Sequence, residues 1–191
     1  VQTCALPIFG IIKLTSHDDF RFIESQNLSP IKFFLEPIAV SLNFAEKQYK
    51  FESYDMVGIS GGGWTTVIYA AIDPRISKSY PVAGSLPMYL RFNQNRNLGD
   101  YEQTLPELYH KAEYLELYVM GAYGSGRDQL QIFNKYDPCC FSGTYSDTYN
   151  QIVKRKITEL GKGNFEIYID ENNRHTISDK TLKLIVNDMN S

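Results

Sequence analysis

The chain has 191 residues, 43% of them hydrophobic and 21% charged, with a formal net charge of −3. This length suits one domain with a substantial core, and the slightly acidic balance argues against a basic face for nucleic acid or an anionic membrane. No apolar run reaches the roughly 18–20 residues needed to span a bilayer, and the aromatics (14 Tyr, 11 Phe and 1 Trp) suit either a core or an aryl or sugar pocket.

Residues 1–8, Val-Gln-Thr-Cys-Ala-Leu-Pro-Ile, read as the translation of a common sequencing-library adapter, a scar to be set aside before fold reasoning. On that reading a single domain runs over residues 9–191, and both earlier sequence and targeting information are missing, which leaves the compartment unread. Residues 9–14 predict a short buried strand. Residues 15–30 are polar, carry turn residues and read mostly as loop.

Residues 31–49 place Phe34, Ile38, Leu42 and Ala45 at helical spacing and predict an amphipathic helix, with Pro37 a point of kinking or restart. Residues 54–59 (YDMVGI) predict a strand covered on both faces. Residues 64–72 predict a helix closed by Asp73-Pro74, and residues 76–83 a further strand. Residues 88–111 form a polar excursion with several aromatics.

Residues 114–120 (YLELYVM) predict a strand, and residues 127–136 a short helix. Residues 148–160 predict a helix, residues 165–169 an alternating strand, and residues 179–189 a terminal helix capped by Ser178 or Asp179. Strands separated by helices predict an α/β domain: a mostly parallel sheet with helices on both faces.

Gly58-Ile59-Ser60-Gly61-Gly62 fits G-x-S-x-G, a nucleophile elbow. A serine presented on a sharp strand-to-helix turn sits in a strained backbone conformation, and neighbours two residues away should lack a Cβ so that the turn closes. The Gly61 N–H then faces the site as an oxyanion donor, reinforced by the N-terminal end of the following helix. The competing reading is a phosphate-cradling glycine turn, but the spacing fails G-x-G-x-x-G and no Gly-Lys-Ser/Thr follows.

His175 follows the last strand, late in the chain, where a general base is expected. His17 precedes the serine and His110 lies in the polar excursion, so both are read as surface histidines. The orienting acid should lie between Ser60 and His175. Asp128 is favoured, on the expected loop after the 114–120 strand; Asp137, before Pro138, is the alternative. A helix-dipole role explains Asp128 equally well, and a turn role explains Asp137.

Cys4 falls within residues 1–8. Cys139 and Cys140 are adjacent; neighbouring cysteines rarely bridge each other, so both are expected as small packed residues without a catalytic role. The scattered histidines and lone cysteine pair match no metal spacing, and no cofactor is implied.

These features together resemble the α/β-hydrolase superfamily, carried by residues 58–62, by the 114–120 segment with Asp128 beyond it, and by Asn173-Arg174-His175. The stretch Ala70-Ala71-Ile72-Asp73-Pro74-Arg75-Ile76 is similar to the segment after the elbow in esterase and peptidase branches. The resemblance implies a serine hydrolase with Ser60, His175 and Asp128 as its triad and a carboxylic ester as substrate. Its rivals are a peptidase, thioesterase or acyltransferase on the same fold, or an inactive binding protein. It also implies that a second oxyanion N–H comes from a loop upstream of Phe9, with early strands of the sheet missing. The Tyr-rich excursion and Trp64 raise an acylated sugar as one form of the ester.

Overall fold

Four strands lie side by side in the order β1-β2-β3-β4, all parallel. They are β1 (Tyr54–Ile59), β2 (Ile76–Val82), β3 (Asp128–Asn134) and β4 (Asn164–Asp170). The structure, a computed structural model, describes residues 13–91 and 98–191. The strand expected over residues 9–14 lies mostly outside the described residues, and Lys13 and Leu14 are not part of a strand.

Helices cover both faces, as the alternation of elements predicts. On one face lie α2 (Gly61–Ile72), α5 (Tyr114–Ala122) and α6 (Asp147–Leu160). Their Trp64, Val67, Leu117, Tyr118 and Val153 join Phe133 and Phe165 from the sheet in the main core. On the other face Ile185 of α7 (Asp179–Met189) meets Tyr80, Val82 and Ile132. The long α1 (Ile31–Gln48) keeps Pro37 inside it, and its Leu35, Ile38 and Leu42 pack near Tyr69 and Ile76. Between β2 and α5, the excursion contributes the one-turn helices α3 (Tyr101–Thr104) and α4 (Pro106–Tyr109).

Two expectations are overturned. Residues 114–120 are helical, not a strand. The buried positions of α5 are Tyr114, Leu117, Tyr118, Gly121 and Ala122, a stripe with helical spacing. A capping box starts it, with Glu116 accepting from the Glu113 N–H at 2.8 Å. Conversely, residues 128–134 are a strand, not a helix. Gln129 and Gln131 conceal its burial: both are buried, and they form a chain from Ser79 through Gln129 and Gln131 to Tyr149 at 2.9–3.2 Å. Such satisfied polar groups sit in a core at little cost.

Arg127 does not open a helix either. Its guanidinium donates to the carbonyls of Ile76, Met120, Tyr123 and Ala70, tying β2, α5 and α2 together beneath the sheet. Buried tyrosines (among them Tyr80, Tyr114, Tyr118 and Tyr149) assign much of the aromatic content to the core. No helix among the described residues is long and apolar enough to cross a membrane.

Candidate active site at the carboxyl edge of the sheet

Ser60 stands between β1 and α2 with φ 59° and ψ −124°. A side-chain-bearing residue held there stores on the order of 1–3 kcal/mol of backbone strain. Its own N–H donates to Val82 O and its carbonyl accepts from the Trp64 N–H, both at 2.9 Å, so sheet and helix clamp it from two sides. The amides of Gly61, Gly62 and Gly63 form the open first turn of α2, where N–H groups lack helical acceptors. An anion beside Ser60 would meet Gly61 N–H and the positive end of the helix dipole.

The glycines divide differently from the expectation. A Cβ on Gly58 would fall 2.2 Å from Gly62 O and 2.8 Å from Thr66 Oγ1, so Gly58 is required for the turn to close. A Cβ on Gly62 would meet nothing within 4 Å, so its place in the motif is not steric. The second obligatory contact is Gly63 against Gly84: a Cβ on Gly84 would lie 2.3 Å from Gly63 C. That close approach holds α2 against the end of β2, and neither glycine is signalled by the five-residue motif.

His175 lies in the loop between β4 and α7. Asn172 shapes that loop, accepting from the Arg174 N–H at 3.1 Å and donating to Thr176 O at 2.9 Å. Asp170 anchors its far side by accepting from the hydroxyls of Ser178 and Thr181. The ring stands 26% exposed, and its Nδ1 lies 2.7 Å from Oδ2 of Asp137, whose side chain is fully buried. Since a carboxylate only accepts, Nδ1 carries the hydrogen and Nε2 keeps a free lone pair. Asp137 Oδ1 accepts from the Cys139 N–H at 2.8 Å, and Oδ2 also accepts from Asn134 at 3.2 Å.

Asp128 is not the residue that meets His175. It opens β3 at the amino edge, six residues before Asn134, which at roughly 3.3 Å per residue puts it about 20 Å from the other end of the strand. There its Oδ2 accepts from Asn164 at 3.1 Å, and burial raises its pKa. The expectation failed because residues 114–122 are a helix: Asp128 then begins the following strand, whereas Asp137 lies just beyond that strand's carboxyl end.

Asn134 is the residue that sequence reasoning missed. It is fully buried and ends β3. Its Nδ2 lies 3.0–3.2 Å from Asp137 Oδ2, Arg174 O and Thr176 O, joining the acid's turn to the histidine's loop. A strand-ending asparagine three residues before an aspartate was the available signal. Ser60, Asp137 and His175 follow the carboxyl ends of β1, β3 and β4 of one parallel sheet, the usual edge for a site in an open α/β sheet. No hydrogen bond joins Ser60 Oγ to His175 in this structure, and such contacts commonly tighten only with substrate bound.

Cys139 and Cys140 form a disulfide, against the expectation for adjacent cysteines. Trp64 is fully buried, its indole N–H donating to Tyr109 Oη at 2.7 Å, so it offers no face to a sugar. A groove of about 680 Å³ borders α1 and α2, lined by Ile31, Leu35 and Tyr69 among others; neither Ser60 nor His175 lines it, so it is not the reaction cleft. Metal spacing was absent from the sequence, but the fold brings ligand-type atoms of His17, Asp100 and Glu102 within 4.8 Å of one another; Cys139 and Cys140 also lie within that distance of His175, but their sulfurs are taken up in the disulfide.

Searches with the sequence find no matching protein-family model and no matching curated protein. Comparison of folds finds similar solved structures. An acylaminoacyl peptidase shares 16% identity over 91% of this chain and 29% of its own, with a TM-score of 0.59. The acylaminoacyl peptidase of Pyrococcus horikoshii shares 18% over 84% of this chain and 26% of its own, at 0.53. Est1E from Butyrivibrio proteoclasticus, solved with ferulic acid bound, shares 14% over 80% of this chain and 63% of its own, at 0.50. The chain therefore spans less than two thirds of each of these proteins. At such identities the likeness concerns the fold, which is that of the α/β-hydrolases.

Proposed function

We propose that this chain carries the site of a serine hydrolase that cleaves a small carboxylic ester, with Ser60 as nucleophile, His175 as general base and Asp137 as the orienting acid. The observation behind this reading is the strained Ser60 turn on the same sheet edge as a His175–Asp137 pair. The α/β-hydrolase fold supports it. Asp137 thereby takes the role expected of Asp128 from its place after a strand over residues 114–120.

In the reaction, Ser60 Oγ attacks the acyl carbon while its proton passes to Nε2 of His175. Asp137 holds the ring's Nδ1–H and stabilises the imidazolium that forms. Gly61 N–H and the start of α2 stabilise the tetrahedral oxyanion. As the C–O bond breaks, the imidazolium proton moves to the departing alkoxide, leaving an acyl-enzyme. Water, losing a proton to His175, then attacks the acyl carbon; the acid leaves and Ser60 regains its proton.

A peptide substrate is the second reading, favoured by the two peptidases among the fold neighbours. The same steps apply there with an amine leaving group. Labelling with a fluorophosphonate probe, followed by a panel of aryl esters, alkyl esters and peptides, tests both. The expected result is covalent labelling that Ser60→Ala abolishes, with esters turned over faster than peptides. A folded protein that neither labels nor turns over any of them would overturn the hydrolase reading and leave a binding role for the fold.

A further inference from the structure

A second cluster lies away from the sheet edge. His17 begins a 3-10 turn (His17–Phe22), and Asp100 and Glu102 stand at the start of α3. The His17 ring is fixed by aromatic neighbours, with Phe34 edge-on at 5.3 Å and Phe20 at 6.1 Å. Its Nδ1 lies 3.1 Å from Glu102 Oε1 and 3.5 Å from Asp100 Oδ2.

Glu102 makes the cluster unusual. Its side chain is fully buried, and Oε2 has no hydrogen-bond partner. A buried carboxylate oxygen without a donor carries a large desolvation cost. One imidazole nitrogen carries one hydrogen and cannot satisfy two carboxylates. A dication would meet both acids at once, and its charge would match two carboxylates beside a neutral imidazole.

We infer that His17, Asp100 and Glu102 form a binding site for a divalent transition-metal ion of the zinc class, with solvent completing the coordination. Bonds of about 2.0–2.1 Å to nitrogen and oxygen in a tetrahedral shell set ligand–ligand edges of roughly 3.3 Å, and the two distances to His17 Nδ1 bracket that edge. Binding makes Nδ1 a ligand and leaves the ring hydrogen on Nε2. Asp100 is more than half exposed; its side chain caps α3 by accepting from the Gln103 N–H, and the carboxylate's remaining lone pairs can complete the shell. The bound ion staples residues 17–22 to the excursion beside the main core. It takes no part in the reaction proposed above.

The test is titration of the metal-stripped full chain with Zn²⁺, read by calorimetry and thermal melting. The variants are Asp100→Asn, His17→Ala and the double change Cys139→Ser/Cys140→Ser. The site predicts about one ion bound per chain and a melting temperature that rises with Zn²⁺. Asp100→Asn, at an exposed position that leaves the core alone, should weaken binding at least tenfold, as should His17→Ala, while the cysteine variant binds as the wild type does. Absence of stoichiometric binding, or binding that survives both Asp100→Asn and His17→Ala, would overturn the assignment.

Discussion

The two ends of β3 carry an aspartate each, and the two differ in what surrounds them. At the amino edge, Asp128 meets Asn164, and neighbouring Arg127 ties down four carbonyls. Beyond the carboxyl edge, Asp137 is gripped by Asn134 and Cys139 N–H and faces a histidine. The amino edge spends its polar groups on closing the fold. The carboxyl edge carries that pair together with the strained Ser60 turn and the open first turn of α2. In a parallel sheet every strand delivers its following loop to the same edge, so chemistry collects there.

Substitutions can sharpen that contrast. The largest effect on stability is expected from Gly58→Ala, whose new Cβ meets backbone at 2.2 Å. It should cost about 3 kcal/mol in denaturant unfolding. Gly62→Ala, with open space around its Cβ, should be neutral or stabilise by about 0.4–1 kcal/mol through the unfolded chain. Equal losses at the two positions would break the account of the turn. Arg127→Met removes charged hydrogen bonds at the amino edge and should destabilise by about 2 kcal/mol, leaving kcat/KM of the folded protein unchanged.

A smaller effect concerns acid. Arg75 beside Asp73 holds that carboxyl at a pKa of about 2, against roughly 3.9 in an unfolded chain. Its contribution is therefore complete above pH about 4 and is lost as pH falls toward 2, where the unfolded state binds the additional proton. Acid unfolding of Asp73→Asn should lack that component, with a loss of about 1 kcal/mol at pH 7. An identical acid profile in wild type and variant would contradict the pairing.

The legible parts of the sequence were those whose pattern and burial agree. β1, β2, β4, α2 and α7 follow apolar runs or stripes with turn residues at their ends; the positions of Ser60 and His175, each in the segment after a strand, were legible too, while their roles belong to the function proposed above. The exchange of strand and helix over residues 114–134 has a physical cause. Tyr, Leu, Val and Met in α5 satisfy strand preference and a helical stripe alike, and only the spacing of 114, 117, 118, 121 and 122 separates them. Gln129 and Gln131 make β3 read as surface because their partners, Ser79 and Tyr149, are distant in sequence. The choice between Asp128 and Asp137 depended on that one segment.

The most direct test of this account compares kcat/KM for Asp137→Asn and Asp128→Asn on an ester that the wild type cleaves. An asparagine at 137 can offer Nδ1 the wrong partner and disturb the tautomer that leaves Nε2 basic, so a fall of about 10³–10⁴ is predicted, with Asp128→Asn within about twofold of wild type. A large loss in Asp128→Asn with activity retained in Asp137→Asn would contradict the assignment of the acid and, with it, the placement of the site at the carboxyl edge.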